Sequence, residues 1–186
     1  MVAFLLRLAM AAAIVLAASA GVSTSAVAET DAPGVTHVGG MWRLGGQPFT
    51  GLLIERDTAR AVRMVVHVVG GRVAGRERRW YATGQVESVR TYENGRKVGH
   101  HRGWWPDGTP RFDASYRDDG FDGTYRAWHA NGQVSDERTY FDGAEKGLQR
   151  GWTPEGVLFF NYEVRGGRRY GLINSKPCIP TGEVQP

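Results

Sequence analysis

Large apolar residues in this chain fall on alternate positions. The clearest runs are Val62, Met64, Val66 and Val68, and Leu158, Phe160, Tyr162 and Val164. Between them come Val86 and Tyr92, Phe112 and Tyr116, and Val134 and Tyr140, each pair an even number of residues apart. The intervening positions hold Glu87, Arg111, Asp113, Ser135 and Glu137. A period of two is the mark of strands with one aromatic and aliphatic face and one polar face. No apolar set recurs at three and four, and 26 glycines argue against helices. The expected class is all-β.

The strands are organised by a strict repeat. Gly75, Gly99, Gly123, Gly147 and Gly171 lie 24 residues apart, and Gly51 extends the series upstream. A tryptophan follows four of them five residues later (Trp80, Trp104, Trp128, Trp152), and a second glycine nine residues later (Gly84, Gly108, Gly132, Gly156). Tyr92, Tyr116 and Tyr140 recur at the same period. Each unit reads as a hairpin: in the unit from Gly123, Thr124–His129 and Gln133–Phe141 are extended runs joined by Ala130-Asn131-Gly132. The sister turns Ala82-Thr83-Gly84, Pro106-Asp107-Gly108 and Pro154-Glu155-Gly156 fit a type I turn closed by a left-handed glycine, where a β-carbon would be strained. Asp142-Gly143 marks the turn into the next unit. One hairpin alone is marginal, so the expectation is an elongated, twisted, single-layer antiparallel array in which neighbours stabilise each other. Trp80, Trp104, Trp128, Trp152, Tyr92, Tyr116 and Tyr140 are expected to form its repeated core. Residues 41–178 make up the array, with units starting near 51, 75, 99, 123 and 147. Met41–Thr50 is expected to supply the first strand and Leu172–Cys178 the last.

These motifs resemble a known family. Gly123-Thr124-Tyr125-Arg126-Ala127-Trp128, continued to Asn131-Gly132, is similar to the MORN repeat. The run Trp80 to Gly99, with Gly84-Gln85-Val86 and Asn94-Gly95, looks like the bacterial MORN-repeat variant, grouped with YwqK-type antitoxin proteins. Pro48-Phe49-Thr50-Gly51 resembles the opening of that family's first repeat. The resemblance spans about residues 41 to 175. It implies successive antiparallel hairpins, a protein partner, and no cofactor or catalytic residues. The first unit departs from the pattern, with Arg56 in the tryptophan place and Arg60 in the turn-glycine place, and the fourth has Val164 in the tyrosine place.

The start of the chain changes the picture of where this array works. Arg7, the apolar run Leu8–Val22 and the small residues Ala26 and Ala28 read as a signal peptide, residues 1–28, cleaved before Glu29. The competing reading is a membrane anchor, but the run is short of the ~20 residues a spanning helix needs. The product is expected to be periplasmic or secreted, with residues 29–40 as a flexible, glycine-rich lead-in and 179–186 as a tail. The formal charge of +4 is modest, and charges of both signs alternate along the repeats, which excludes a nucleic-acid patch. The single cysteine, Cys178, cannot form an internal disulfide. It is either a free or capped thiol or an intermolecular one.

Catalytic constellations are missing from the pattern. The five histidines (His37, His67, His100, His101, His129) have no companions at metal-ligand spacing, and adjacent His100 and His101 point to opposite sides of a strand. Asp118, Asp119 and Asp122 are explained by turn chemistry without calcium. No nucleophile with a base, phosphate loop or metalloprotease motif occurs. The reading is a non-enzymatic protein with no cofactor or metal. It offers a repetitive sheet surface to a protein partner, as an antitoxin-like protein or an envelope scaffold. The alternative is a binder of peptidoglycan or anionic lipid. Tyr81, Trp105 and Tyr125 break the repeat pattern of large residues, and so they are the candidate partner-binding anchors.

Overall fold

The computed structural model describes residues 26–172. Its strands are β1 (Ala26–Glu29), β2 (Val35–Val38), β3 (Met41–Leu44), β4 (Gln47–Pro48), β5 (Gly51–Arg56), β6 (Val62–Val69), β7 (Arg72–Trp80), β8 (Val86–Glu93), β9 (Arg96–Lys97), β10 (Gly99–Trp104), β11 (Pro110–Arg117), β12 (Gly120–Trp128), β13 (Val134–Phe141), β14 (Ala144–Trp152), β15 (Leu158–Arg165) and β16 (Arg168–Leu172). From β5 to β16 they form an antiparallel meander in chain order, with β9 as a short extension beside β8. Each hairpin of the expected array is present.

Local chemistry accounts for the turns. The N–H groups of Gly84, Gly108, Gly132 and Gly156 donate to the carbonyls of Tyr81, Trp105, His129 and Thr153, and all four glycines have φ between +81° and +89°. Arg60 takes the same place in the first unit at φ 64°, donates to the Asp57 carbonyl, and reaches Glu29 with its guanidinium at 2.5 Å. The opposite ends of the hairpins are two-residue turns with both φ values positive, such as Asn94-Gly95 and Asp142-Gly143.

The N-terminal end differs from expectation in two ways. Residues 29–40 are not an unstructured lead-in. They hold β2, which pairs with β3 through the Gly39-Gly40 turn. Met41–Thr50 does not open the long sheet either; β2, β3 and β4 make a separate three-stranded sheet. The long sheet begins with β1, which pairs in parallel with β5. That pairing needs Gly51, because a β-carbon there would stand 2.0 Å from the Ala26 carbonyl oxygen. The expected cleavage point after Ala28 falls inside β1. Residues 1–25 of the expected signal peptide, Cys178 and the 179–186 tail lie outside the described residues. The last described strand is β16.

The interior is a line rather than a ball. Ala28, Leu53, Met64, Val66 and Val68 are buried with Phe49 under the small sheet, where Val35 and Trp42 pack against them. The same face continues along the array as a cross-strand row. Glu77 pairs with Arg90 and His101 with Ala114; beyond Ala114 the direct pairings run through Tyr125, Arg138, Gln149 and Tyr162. In that row Glu77, His101, Ala114, Gln149 and Tyr162 are buried. Above it, rings of Tyr92, His101, Tyr116, Phe121 and Tyr140 form a continuous chain with centroid spacings of 5.5, 4.5, 4.6 and 4.8 Å.

The tryptophans do not join that chain, which corrects the expected common core. All four are half-buried rather than buried. The Arg150 guanidinium lies 5.5 Å from the centre of the Trp152 ring, and Trp128 lines a depression with Arg126 and Glu137, on the face opposite the tyrosines. The register shift beside each tryptophan, at Arg79/Trp80, Gly103/Trp104, Ala127/Trp128 and Gly151/Trp152, falls on the partner strand, which carries one extra residue there (Glu87, Arg111, Ser135 and Phe159), so each tryptophan keeps the face of the arginine two residues before it.

Candidate functional site

The polar face carries an unbroken cross-strand row of its own. Arg78 is directly opposite Val89, Val89 opposite Arg102, Arg102 opposite Asp113, Asp113 opposite Arg126, Arg126 opposite Glu137, and Glu137 opposite Arg150. Four arginines therefore occupy every second strand with no stagger. Each stands three residues after a period glycine and two before a tryptophan. The repeated arginine is present in the sequence as a further coincidence at the 24-residue period, less conspicuous than the glycines and aromatics.

Ion pairs order this row. Arg102 Nε donates to Asp113 at 3.1 Å, and Arg150 Nη2 to Glu137 at 2.7 Å, while Arg126 contacts the same Glu137 carboxylate. Arg78 has no carboxylate within 4.0 Å among the described residues, and Arg150 Nε has no hydrogen-bond partner. Two guanidiniums sharing one carboxylate leave a surplus of positive charge on this face, while the unpartnered Arg150 Nε itself is buried. Between these rungs lies an open depression of about 350 Å³ lined by Asp113, Thr124, Arg126, Trp128, Glu137 and Leu148, among others.

The three sequence candidates serve different roles. Tyr81 donates its hydroxyl hydrogen to the Trp104 carbonyl at 2.8 Å, and Trp105 Nε1 donates to the Trp128 carbonyl at 3.2 Å. His129, in the equivalent place of the next unit, reaches the Trp152 carbonyl through Nε2 at 2.8 Å. Tyr81, Trp105 and His129 lie 24 residues apart, and each pins its own hairpin to the following one. Both named anchors are thus half-buried fasteners of the array rather than outward anchors. Tyr125 lies on the buried face, 5.5 Å from Phe121, and burial raises its phenol above the ordinary range. The expectation overlooked that residues 81 and 105 sit at hairpin tips, where side chains turn toward the neighbouring tip.

Titratable groups of the buried face are satisfied internally. Glu77 accepts from Arg79 at 3.0 Å and lies 3.5 Å from Arg90. Glu145 accepts from Tyr162 Oη at 3.0 Å and meets Arg138 and Arg169 at 3.2 and 2.9 Å. His101 Nε2 is 2.8 Å from the Thr91 carbonyl, and burial holds its imidazole below the ordinary value. These groups brace the sheet, and none stands beside a nucleophile in a cleft. Asp118 pairs with Arg96, Asp119 accepts from the Lys97 N–H, and Asp122 pairs with Arg117, so the acidic turn residues are engaged locally. Among the described residues no group of three His, Cys, Asp or Glu side chains converges on a metal position, and no helix is long and apolar enough to cross a membrane.

Two stretches of the chain, residues 75–94 and 121–142, match the family described as MORN repeat variant. They correspond to the hairpins β7–β8 and β12–β13, including the rungs Arg78 and Arg126. Repeats of this family are generally non-catalytic and engage proteins or membranes. No curated protein matches the chain significantly.

Proposed function

We propose that this protein is an exported, non-enzymatic binding module whose arginine face docks a partner protein. The observation that carries the reading is the row Arg78, Arg102, Arg126 and Arg150 beside four half-buried tryptophans, held at fixed spacing by the sheet. Arginine and tryptophan are the residue types that most often dominate protein interfaces, and a preformed surface binds without first ordering a loop. An antitoxin-like protein and an envelope scaffold are two forms of the same reading, distinguished by what is bound.

Site-specific photo-crosslinking in intact cells tests it. A probe at Thr124, beside Arg126 on the outward face, is expected to capture a defined protein, whereas a probe at exposed Arg169 on the opposite face captures none. Capture only of glycan or lipid at Thr124 overturns the protein-partner reading. Export is tested separately by sequencing the N-terminus of protein taken from the envelope. A start at Glu29 supports it; such a start removes Ala26, Val27 and buried Ala28 of β1 but keeps the Glu29 carboxylate that meets Arg56 and Arg60 at 2.9 and 2.5 Å. A start at Met1 in the cytoplasmic fraction overturns it.

A further inference from the structure

We infer that the arginine row recognises an acidic polyproline II segment of the partner, with a carboxylate at every third residue. This rests on the protein-partner reading above and specifies its chemistry. The argument begins with spacing. Successive rungs Arg102, Arg126 and Arg150 are joined only through directly opposed residues, Asp113 and Glu137, so they are two strands apart without displacement along the strands. Strands in a sheet lie roughly 4.8 Å apart, which sets the rungs about 9.6 Å from each other. A polyproline II helix rises about 3.1 Å per residue with three residues per turn, so every third side chain recurs on one side at about 9.3 Å. An extended strand repeats a side at roughly 6.7 Å and falls out of step at the second rung. An α-helix offers two turns in about 10.8 Å and drifts by more than 1 Å per rung.

Charge and shape point the same way. The row from Arg78 to Arg150 holds four arginines and two carboxylates. Side-chain exposures of 57, 53 and 41% at Arg102, Arg126 and Arg150 leave the forks accessible. The flat, donor-rich guanidinium suits a carboxylate, and the surplus of positive charge selects an acidic segment over a basic one. The tryptophans stand two residues along each strand, so their Cα atoms lie about 7 Å from those of the arginines, and the Arg150 guanidinium lies 5.5 Å from the centre of the Trp152 ring. Aromatic faces at that distance are the surfaces on which prolyl rings of such helices rest. Exposed Leu148, two residues before Arg150 on the side away from Trp152, and the walls of the depression at Trp128 add apolar contact on either side of the arginine row.

The test uses the full chain and synthetic peptides, read by titration calorimetry and tryptophan fluorescence. An acetylated (Glu-Pro-Pro)4 peptide is expected to bind, with affinity falling as salt rises. The spacing control (Glu-Pro-Pro-Pro)3 and the charge control (Lys-Pro-Pro)4 are expected to bind at least about tenfold more weakly. Arg102→Gln/Arg126→Gln is expected to weaken (Glu-Pro-Pro)4 binding by about tenfold while leaving the thermal transition in place. Equal affinity for the two spacings, or no binding by any peptide, overturns the inference. In the second case, specific protein capture at Thr124 still upholds the broader reading. Binding of anionic vesicles through the same arginines with no peptide binding also overturns it.

Discussion

The two ends of the array solve the same problem with opposite materials. At the N-terminal end the buried positions are Leu53, Met64, Val66 and Val68, covered by a second small sheet. In the middle and at the C-terminal end, the corresponding row holds Glu77, His101 and Gln149, each buried and each tied to neighbours by polar contacts. Leu53, Glu77, His101 and Gln149 all stand two residues after a period glycine. An unchanged backbone therefore accepts leucine, glutamate, histidine or glutamine at one structural position. The hairpin ladder, its glycine turns and its fasteners define this fold, and the apolar core serves mainly to seal one end.

If that contrast is right, the largest single effect lies at the sealed end. Leu53→Ala is expected to cost about 3 kcal/mol in denaturant unfolding, as a fully buried large-to-small change. A loss below about 1 kcal/mol would mean that the small sheet does not cover this cluster in solution. The next effect sits in the array. A β-carbon at Gly151 would stand 2.2 Å from Phe160 Cε1, so Gly151→Ala is expected to cost about 2 kcal/mol through overpacking. In a Phe160→Leu background the same change should be nearly neutral, and a double-mutant cycle measures the coupling.

Smaller effects sharpen the polar side of the comparison. Trp105→Phe keeps an aromatic ring, though a smaller one, and deletes the Nε1–H bond to the Trp128 carbonyl, and is expected to cost at least about 1 kcal/mol by thermal unfolding. No loss would return Trp105 to the set of free surface anchors. His101→Gln should be the mildest at pH 7.5, within roughly 0.5 kcal/mol. Gln149 already makes the equivalent bond, from Nε2 to the Thr139 carbonyl at 2.8 Å, as His101 does to Thr91. The variant should nevertheless alter pH dependence. Burial, aided by Arg90 and Lys97, depresses the folded imidazole below its ordinary 6.5, so the unfolded chain takes up the proton first. The wild type keeps this contribution above pH 6.5 and loses it as pH falls from there toward the folded value. Unfolding measured from pH 8 to 5 should show that slope in the wild type and its removal in His101→Gln.

What could be read from the chain was what depends on neighbours in sequence. The turns at Gly84, Gly108, Gly132 and Gly156 follow from local φ requirements, and the shared face of Arg126 and Trp128 follows from strand parity. The side taken by Val134 did not, because the register steps from Ala127 opposite Asp136 to Trp128 opposite Val134, so β13 carries one extra residue there and parity between Val134 and Tyr140 is interrupted. The N-terminal cap was illegible for a different reason. Gly39-Gly40 and Gly45-Gly46 look like flexible spacers, yet each forms a tight two-residue turn with both φ values positive. The parallel pairing of Ala26–Glu29 with Gly51–Ile54 depends on contacts some 25 residues apart that no local pattern announces. The arginine row was legible as a 24-residue coincidence, but only the cross-strand register turns that coincidence into a line.

The fasteners between hairpins carry a consequence for how such a molecule changes size. Tyr81 and Trp105 each reach a carbonyl 23 residues ahead, and the turn N–H groups of Gly71, Gly95, Asp119 and Gly143 each reach one 22 residues behind, at Phe49, Val73, Lys97 and Phe121. Every such bond spans one unit and no more. Excising or duplicating a 24-residue block would therefore hand each donor an equivalent acceptor, with the sealed end untouched. Length becomes a quantised trait: the binding face can grow or shrink in steps of about 9.6 Å, one rung at a time, so that a gene can retune the reach of its product without having to refold it.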